Sequence, residues 1–458
     1  MCGLAAAMLL ARDGHDVTVL ERDAAPVPDT LDAALNVWER DGVAQFRQAH
    51  FVHARGREIL ESDLPDVHDA LLAAGGYPFD VLGLMPRSIE DRAPRPGDER
   101  FVTVTGRRPT LEWVFGRAAD REPGVDVRRG VTVEALVGRP VDGIPHVTGV
   151  RTAGGDEIAS DLVVDAMGRR SRLPRMLERI GAGPMHEESE DSGFIYYTRF
   201  FRANGNGRPA FRAAPITPLE SISVLTLQAD NETWSVTLYV AAGDRPLKAL
   251  RHEDRWDAAV RACPLHAHWL DGEALTGVLP MGGVVDRYRR MTAGGRPVAT
   301  GVLSVGDAWA CTNPSLGRGI TLGLAHARYL RDFVRLHLEH PREMVEVWDR
   351  VTESELTPWY RSTVAEDRAR LRALDAARVG APPPGPPDPA AALRAALPAA
   401  AMRDPDLFRS MMETRCCYET EEEVLARPGV ADRVRELGAE PPPRPRGPSR
   451  AELLELLA

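Results

Sequence analysis

The segment around Gly3 constrains this chain more than any other, because it matches the second half of a nucleotide-binding βαβ unit. The sequence predicts a helix over 4–13, ended by Gly14, and then an apolar strand over 17–20 that leads to Glu21. In a G-x-G-x-x-G fingerprint the glycines supply a tight turn, a close approach of the backbone to pyrophosphate, and packing of the helix on the strand. Gly3 fits the third glycine position. We therefore expect the first strand and the first two glycines to lie upstream of the given sequence.

The predicted helix lacks the glycine turn that normally presents its N-terminal N–H groups to a phosphate. The absent strand would be central in a doubly wound sheet, and its loss would expose the edges of its neighbours. We therefore expect Met1 to be an internal methionine of a longer natural protein. A true short form is the alternative. An unrelated fold that begins with a similar helix is a further alternative, which Glu21 at the end of the strand disfavours.

Length, charge and cysteine content define the broad class of protein. A chain of 458 residues suggests about two or three domains. Its net charge of −10 argues against a nucleic-acid partner. The five cysteines show no CxxC or zinc-ligand spacing, which favours a reducing compartment and no metal site. No signal peptide is recognisable, and no apolar stretch approaches the ~20 residues that span a bilayer, so we expect a cytoplasmic protein without a transmembrane segment.

Turn and breaker residues divide the chain into four predicted parts. These are the first part of a nucleotide-binding domain, 1–175, an antiparallel-sheet substrate domain, 176–280, the second part of the nucleotide-binding domain, 281–345, and a C-terminal helical region, 346–458, with a Pro-rich linker near 381–389. In an alternative division, part of 60–100 belongs to the substrate domain. Capping boxes that begin at Thr420 and Ser449 predict two late helices.

Three β-rich runs, 194–201, 222–229 and 233–240, predict an antiparallel sheet, since turn residues separate them. The period of two in the first run places Tyr197 and Arg199 on one face. These two side chains are candidates for contact with a polar substrate group, although packing and surface charge are the commoner roles of such residues.

The strongest chemical signal lies in the segment 306–320. Asp307 follows a predicted buried strand, where its carboxylate can accept hydrogen bonds from sugar hydroxyls. Gly317 and Gly319 let a backbone approach a flat ligand while a helix begins, and that helix N-terminus stabilises negative charge. Such a segment alone occurs in many α/β proteins. Together with the βαβ remnant upstream it indicates a dinucleotide site.

These motifs, in this order, make residues 1 to about 345 resemble a flavoprotein monooxygenase of the para-hydroxybenzoate hydroxylase fold. This broad group includes aromatic hydroxylases, epoxidases and related halogenases. The resemblance implies an α/β fold with a Rossmann-like FAD-binding domain, an inserted antiparallel-sheet substrate domain and a C-terminal helical region. It also implies bound FAD. The absence of a Trp-x-Trp-x-Ile-Pro segment, and the position of the only lysine, Lys248, disfavour halogenation.

The resemblance also assigns cofactor contacts to individual residues. Gly3 would pack under the pyrophosphate, and Glu21 would bind the hydroxyls of the adenosine ribose. Asp307 would contact the flavin-side ribose or ribityl chain, and 317–320 would face the isoalloxazine edge. Arg108 resembles the arginine that reaches FAD in this fold, with a solvated helix-start arginine as the alternative. The cofactor-binding candidates are Gly3, Glu21, Arg47, Arg108, Asp307, Pro314, Gly317, Gly319 and Ile320, with His50 on weaker grounds.

The middle motif departs from the pattern of single-component hydroxylases. Those enzymes usually carry Asp-Gly-x-x-Ser, with the aspartate tied to NAD(P)H and flavin handling, whereas Met167 stands at that position here. The segment 165–171 is more similar to the epoxidase and halogenase branches. This departure leaves the electron source open between NAD(P)H and a separate flavin reductase as partner.

The sequence therefore predicts an FAD-dependent monooxygenase that hydroxylates or epoxidises a small organic substrate with O₂. A flavin-linked reductase or dehydrogenase of an isoprenoid-like substrate is an alternative. A flavin-free, inactive truncated form is another. The sequence nominates no catalytic acid or base.

Overall fold

The computed structural model describes residues 1–43, 45–205, 207–440 and 445–458. Its α-helices are α1 Cys2–Arg12, α2 Leu31–Asn36, α3 Ala54–Asp63, α4 Pro65–Ala73, α5 Arg108–Ala119, α6 Leu173–Arg179, α7 Glu253–Arg261, α8 Gly319–His337, α9 Pro341–Glu355, α10 Thr357–Arg378, α11 Pro389–Ala401, α12 Pro405–Arg415, α13 Glu421–Ala426, α14 Val430–Leu437 and α15 Arg450–Leu457. Within the described ranges, none of these helices has the length and apolar character needed to cross a membrane.

The strands range from two to nine residues in length. They are β1 Val17–Glu21, β2 Phe51–Val52, β3 Tyr77–Asp80, β4 Val102–Thr105, β5 Val125–Arg129, β6 Val133–Val141, β7 Ile144–Thr152, β8 Glu157–Ala159, β9 Val163–Asp165, β10 His186–Asp191, β11 Phe194–Arg202, β12 Ile216–Pro218, β13 Ser223–Gln228, β14 Thr233–Ala241, β15 Glu273–Ala274, β16 Leu279–Gly282, β17 Val285–Arg290, β18 Thr292–Ala293, β19 Arg296–Pro297, β20 Val302–Ser304 and β21 Ala310–Cys311.

The βαβ remnant folds as the sequence predicts. α1 precedes β1, and its apolar residues from Ala5 to Ala11 are buried, in a helix that packs on α5 and α8. β1 then ends on Glu21. The alanines of α1 let neighbouring helices approach closely, while Met8 and Leu9 fill space in the hydrophobic core.

The parallel strands form two separate pairs. β1 pairs with β5, and β9 pairs with β20. Within the described residues, β1 and β9 each have a strand partner on one side only. Both strands line the same cavity. The expectation that a strand upstream of the given sequence completes this sheet stays a prediction.

The predicted antiparallel sheet is present and lies over the cavity. Its strand order is β12-β13-β14-β11-β15, and β16 also pairs with β11. One face packs on a core of tryptophans and leucines to which α7 and α15 contribute. The other face is directed towards the parallel strands. The α/β fold class with an antiparallel-sheet region is thereby confirmed.

The two predicted helix caps are present, whereas one helix is shorter than its sequence predicts. Both capping boxes form, at Thr420 and Ser449. The sequence also predicts a helix over residues 254–270, but α7 ends at Arg261, because Pro264 lacks an N–H donor and disfavours helical geometry in the residue before it.

Helices α11, α12 and α14 pack in one core with Val81, Met85 and Ile89, so the C-terminal region covers part of 60–100. The four predicted domain boundaries stay predictions, and residues 441–444 of the last part lie outside the described residues.

A buried carboxylate joins the antiparallel sheet to the nucleotide-binding half. Asp230, in the turn between β13 and β14, is fully buried. It accepts hydrogen bonds from the backbone N–H and guanidinium of Arg107, from Thr110 and from Asn231. Burial alone would raise the pKa of Asp230, but the hydrogen bonds and charge of Arg107 hold it below its ordinary value. The N-terminus of α5 is thus fixed to the sheet.

Replacement of Asp230 by alanine is expected to reduce the free energy of unfolding by about 3–5 kcal/mol, since it leaves the Arg107 charge buried without a partner. The stabilisation from Asp230 is present above the ordinary aspartate pKa of about 4 and is lost as pH falls through the lowered native value. Urea unfolding at several pH values measures both effects. The matched control is Asp29→Ala, because Asp29 is 99% exposed and pairs weakly with Arg117. Equal effects of the two variants would contradict the assignment.

Candidate functional site

One cavity of about 1140 Å³ runs through the centre of the molecule. Its walls are α1, β1 and β9, the loop between β20 and α8, and the open face of the antiparallel sheet. All the predicted cofactor-binding residues except Arg47 line it: Gly3, Glu21, Arg108, Asp307, Pro314, Gly317, Gly319 and Ile320. Segments more than 300 residues apart in the chain therefore meet around one space.

Glu21 marks one end of the cavity and is already partly engaged. Its carboxylate accepts a hydrogen bond from the backbone N–H of Asp23 at 3.0 Å and one from Arg40 at 2.7 Å. A carboxylate has about four lone-pair sites, so further donors can still bind. The side chain of Glu21 is 33% exposed, which keeps these sites accessible.

A buried ion network connects Glu21 to Arg108. Arg40 also contacts Asp23 and Glu112, and Arg108 donates to Glu112 at 2.8 Å. Burial alone would raise the pKa of Glu112, but the charges of Arg108 and Arg40 and the hydrogen bond from Arg108 act to lower it. Glu112 therefore stays ionised and fixes both guanidinium groups along the cavity wall. Neither Arg40 nor Glu112 was singled out by sequence reasoning, since no local pattern distinguishes them.

Gly3 lies where α1 comes closest to the end of β9. A Cβ atom at this position would be 2.8 Å from the Cβ atom of Ala166. Real Cβ atoms essentially never come so close, so a side chain here would push the helix away from the strand. This is the packing role that the third glycine of the fingerprint fulfils.

Asp307 follows β20 and lies at the middle of the cavity. Burial raises the pKa of its carboxyl, while Arg108, Arg169 and Arg287 oppose that shift. The turn before it is fixed by His326, whose Nδ1 accepts the backbone N–H of Gly306 at 3.1 Å. The Asp307 carboxylate has no ion-pair partner among the described residues, which leaves it available to hydroxyl donors.

The loop from Pro314 to Ile320 forms the wall opposite Glu21. Gly317 has a φ of +65°, which disfavours any residue with a Cβ atom. α8 begins at Gly319, where a Cβ atom would meet no atom within 4 Å. The loop thus presents bare backbone to the cavity beside the N-terminus of a helix of 19 residues.

The two weaker candidates have different environments. Arg47 donates to the carbonyl oxygens of Leu35 and Trp38, both at 2.8 Å, and does not line the cavity. His50 does line it, and burial together with the charge of Arg108 lowers the pKa of His50 to about 3. The arginine that approaches this region from the segment after β1 is Arg40.

The middle motif is a turn closed by Asp165. Its carboxylate accepts the N–H of Met167 and the hydroxyl of Ser171. Gly168 has a φ of +68°, as this tight turn requires. The Met167 side chain is 43% exposed, so no carboxylate is presented at this position. Arg169, Arg170 and Arg172 line the cavity here and have no acidic partner among the described residues.

The sheet contributes a polar face to the cavity. Thr198 donates to Gln48 at 2.8 Å and lies 2.8 Å from the hydroxyl of Thr237. All three residues line the cavity. Tyr197 and Arg199 point to the opposite face, where Arg199 pairs with acidic residues of α7. The pattern of two-residue alternation was right, but only the tertiary structure shows which face meets the cavity.

Comparisons with known proteins agree with this geometry. No protein-family model matches the chain. Protein Rv3254 of Mycobacterium tuberculosis is 28% identical over 359 residues, covering 72% of this chain and 70% of that protein. PqsL, a probable FAD-dependent monooxygenase from Pseudomonas aeruginosa, is 17% identical with a TM-score of 0.60, covering 83% of this chain and 95% of its own. The p-nitrophenol 4-monooxygenase PnpA from Pseudomonas putida is 15% identical with a TM-score of 0.58, covering 92% and 96%.

At these identities the two crystal structures establish the fold. The chain has the fold of the monooxygenase PnpA and of PqsL, as its sequence resemblance predicts.

The contact between Gly3 and Ala166 can be tested by a double-mutant cycle. Gly3→Ala alone is expected to destabilise the protein, because overpacking costs about 1–3 kcal/mol and outweighs the gain in helix propensity. In an Ala166→Gly background the same change should be stabilising by about 0.5–1 kcal/mol, since the obstructing methyl group is gone. Thermal unfolding of the four proteins measures the coupling, and additive effects would refute the close approach.

Proposed function

We propose that this chain binds FAD and acts as a monooxygenase that hydroxylates or epoxidises a small organic substrate with O₂. The observation that carries the proposal is the single cavity that joins Glu21, Asp307 and the loop at Gly317 to the polar face of the antiparallel sheet. Such a cavity has room for an extended dinucleotide and, beside it, a second ligand. The fold of PqsL and PnpA supports the same reading.

The residues present fit FAD at several points along the cavity. Glu21 keeps free lone pairs for ribose hydroxyls, and Asp307 has no cation partner that would compete for its carboxylate. Gly317 and Gly319 leave backbone uncovered where a flat ring system would lie. Arg108 is joined to Glu21 through Glu112 and Arg40, and its charge also acts on Asp307. When bound, FAD supplies the redox chemistry with O₂ that amino-acid side chains lack.

Positive charge near the middle of the cavity suits a pyrophosphate. Arg169 and Arg170 line this part, and the N-terminus of α1 adds the partial positive charge of its dipole. The chain as a whole carries a net charge of −10, so cationic groups at this point select where an anionic ligand binds.

The substrate side would be the space under the antiparallel sheet. Leu225 and Met281 provide apolar side chains there, and Thr198 and Gln48 provide hydrogen-bonding groups. This mixture suits an organic molecule with few polar atoms and excludes bulk water from the reacting centre.

Retention of FAD tests the proposal directly. The protein incubated with FAD and then desalted is expected to keep a flavin absorption band, with FAD and protein in equal amounts. Asp307→Ala should weaken FAD binding about tenfold or more, since a buried hydrogen-bond acceptor is lost. The control is Asp254→Ala, because Asp254 is 76% exposed on α7, away from the cavity. A colourless protein, or equal retention by both variants, would contradict the proposal.

The exposed Met167 supports a separate flavin reductase as electron source, because no carboxylate is presented at the position tied to NAD(P)H handling. We expect NADH and NADPH alone to leave the bound flavin oxidised under anaerobic conditions. Addition of a flavin reductase with free FAD should supply reduced cofactor. Stopped-flow absorbance measures both reactions. Rapid bleaching by NADPH alone would show that the chain accepts hydride directly, and substrate oxidation without O₂ uptake would favour a dehydrogenase.

A further inference from the structure

A series of hydrogen bonds between buried side chains connects the carboxylate of Asp367, on α10, to the cavity wall. Tyr196 donates its hydroxyl proton to Oδ1 of Asn313 at 2.8 Å. Nδ2 of Asn313 donates to Asp367 at 3.1 Å. The backbone N–H of Asn313 donates to Asp286 at 2.6 Å. Tyr196 and Asn313 both line the cavity, and all four residues are at most 5% exposed.

Neither carboxylate of this cluster has a cation partner among the described residues, a property that Asp165 and Asp307 share. Most buried acids of this protein pair with arginine, as Asp230 does with Arg107. Asp286 and Asp367 have no ion-pair partner within the described ranges, and Asn313 is the common hydrogen-bond donor to both. Two buried carboxylates around one amide, without a counter-ion, favour uptake of a proton by one of them.

The direction of this hydrogen-bond chain determines what Tyr196 can offer a ligand. While Asp367 is ionised it only accepts, so it holds the NH₂ group of Asn313 towards itself and the Oδ1 atom towards Tyr196. The phenol proton is then committed to Asn313. The phenol oxygen retains only lone pairs for a ligand.

We infer that Asp367 and Asn313 are positioning residues that set the hydrogen-bond polarity of Tyr196 towards the substrate. With Asp367 ionised, Tyr196 accepts a hydrogen bond from a substrate hydroxyl or amino group. When Asp367 takes one proton from solvent, its O–H donates to Asn313. The amide turns over, its NH₂ group donates to the phenol oxygen, and the Tyr196 proton is released to point into the cavity. The inference rests on the proposed function only for the identity of the ligand.

The groups around Asp367 place its protonation, and with it the change in the Tyr196 hydrogen bond, near neutral pH. Burial raises the pKa of Asp367 to about 7, and Asp286 and Glu366 add to the shift. Burial likewise raises the pKa of Asp286 to about 6. The other charged or titratable groups around the two carboxylates are Glu190 and Asp191 on β10, Tyr239 on β14, and Tyr360 and Arg368 on α10. Arg368 is already paired with Glu190.

Infrared difference spectroscopy on the purified protein tests the switch, with or without FAD. A C=O band of a protonated carboxyl should disappear as pH rises through about 7, and Asp367→Asn should remove it. Asp286→Asn should move the midpoint to lower pH, because a like charge is removed. Absence of a band that depends on Asp367 would overturn the inference.

The tyrosine C–O stretch, in protein labelled at tyrosine, reports whether Tyr196 donates or accepts, with Tyr196→Phe identifying the signal. This signal should change with the same midpoint as the carboxyl band. In Asn313→Leu the carboxyl should still titrate while the Tyr196 signal no longer responds. A Tyr196 signal that ignores the titration, or follows it in Asn313→Leu, would overturn the coupling. A colourless protein would count against FAD binding and leave these readouts unaffected.

Phenol and anisole are matched probes of the cavity, since only phenol can donate a hydrogen bond. Above the midpoint, phenol should bind about fivefold to tenfold more tightly than anisole, and below it the preference should vanish. Tyr196→Phe should remove the preference at both pH values. Equal binding of the two probes, or no binding of either, would overturn Tyr196 as a substrate contact.

Discussion

The buried carboxylate of Asp230 determines how the two halves of the cavity face one another. It lies in a turn of the antiparallel sheet and accepts hydrogen bonds from Arg107, the residue immediately before α5. The next residue, Arg108, extends from the same end of α5 into the cavity. A buried charge that water does not solvate must be neutralised by neighbouring groups. The interaction of Asp230 with Arg107 therefore fixes the positions of both the sheet and Arg108.

From α5, a series of contacts between arginines and carboxylates continues to Glu21. Glu112 lies one turn after Arg108 and contacts both Arg108 and Arg40, and Arg40 reaches Glu21. Each carboxylate in this series is stabilised by arginine. The cluster around Asn313 differs from this series, because Asp286 and Asp367 accept hydrogen bonds from the backbone and side-chain N–H groups of Asn313 instead of pairing with a cation. This difference separates groups that hold the fold from groups that can change protonation near neutral pH.

Sequence reasoning predicted most of the elements that form the cavity. The helix after Gly3, the strand that ends on Glu21 and the turn at Gly306 follow from periodicity and from glycine and acidic residues at fixed positions. Local sequence could not identify Arg40, Glu112 or Tyr196 as residues of the site. Nothing in the neighbouring sequence indicates which distant residues an arginine, a glutamate or a tyrosine will contact.

The face of the sheet shows the same limit. Alternation correctly separates Tyr197 and Arg199 from Tyr196 and Thr198, yet it is symmetric between the two faces. The choice was made by α7 and α15, whose apolar side chains cover the first pair. Those contacts join residues that are far apart in the chain.

By itself, then, the sequence determined the α/β fold class, the order of its nucleotide-binding motifs and the glycines that the close approaches need, because each depends on a few neighbouring residues. Tertiary structure alone decided which arginines neutralise which carboxylates, that Arg47 lies away from the cavity, and that two aspartates share Asn313 without a cation. The physical reason is that burial and charge pairing are properties of the space between distant segments, whereas turn geometry and periodicity are properties of the chain.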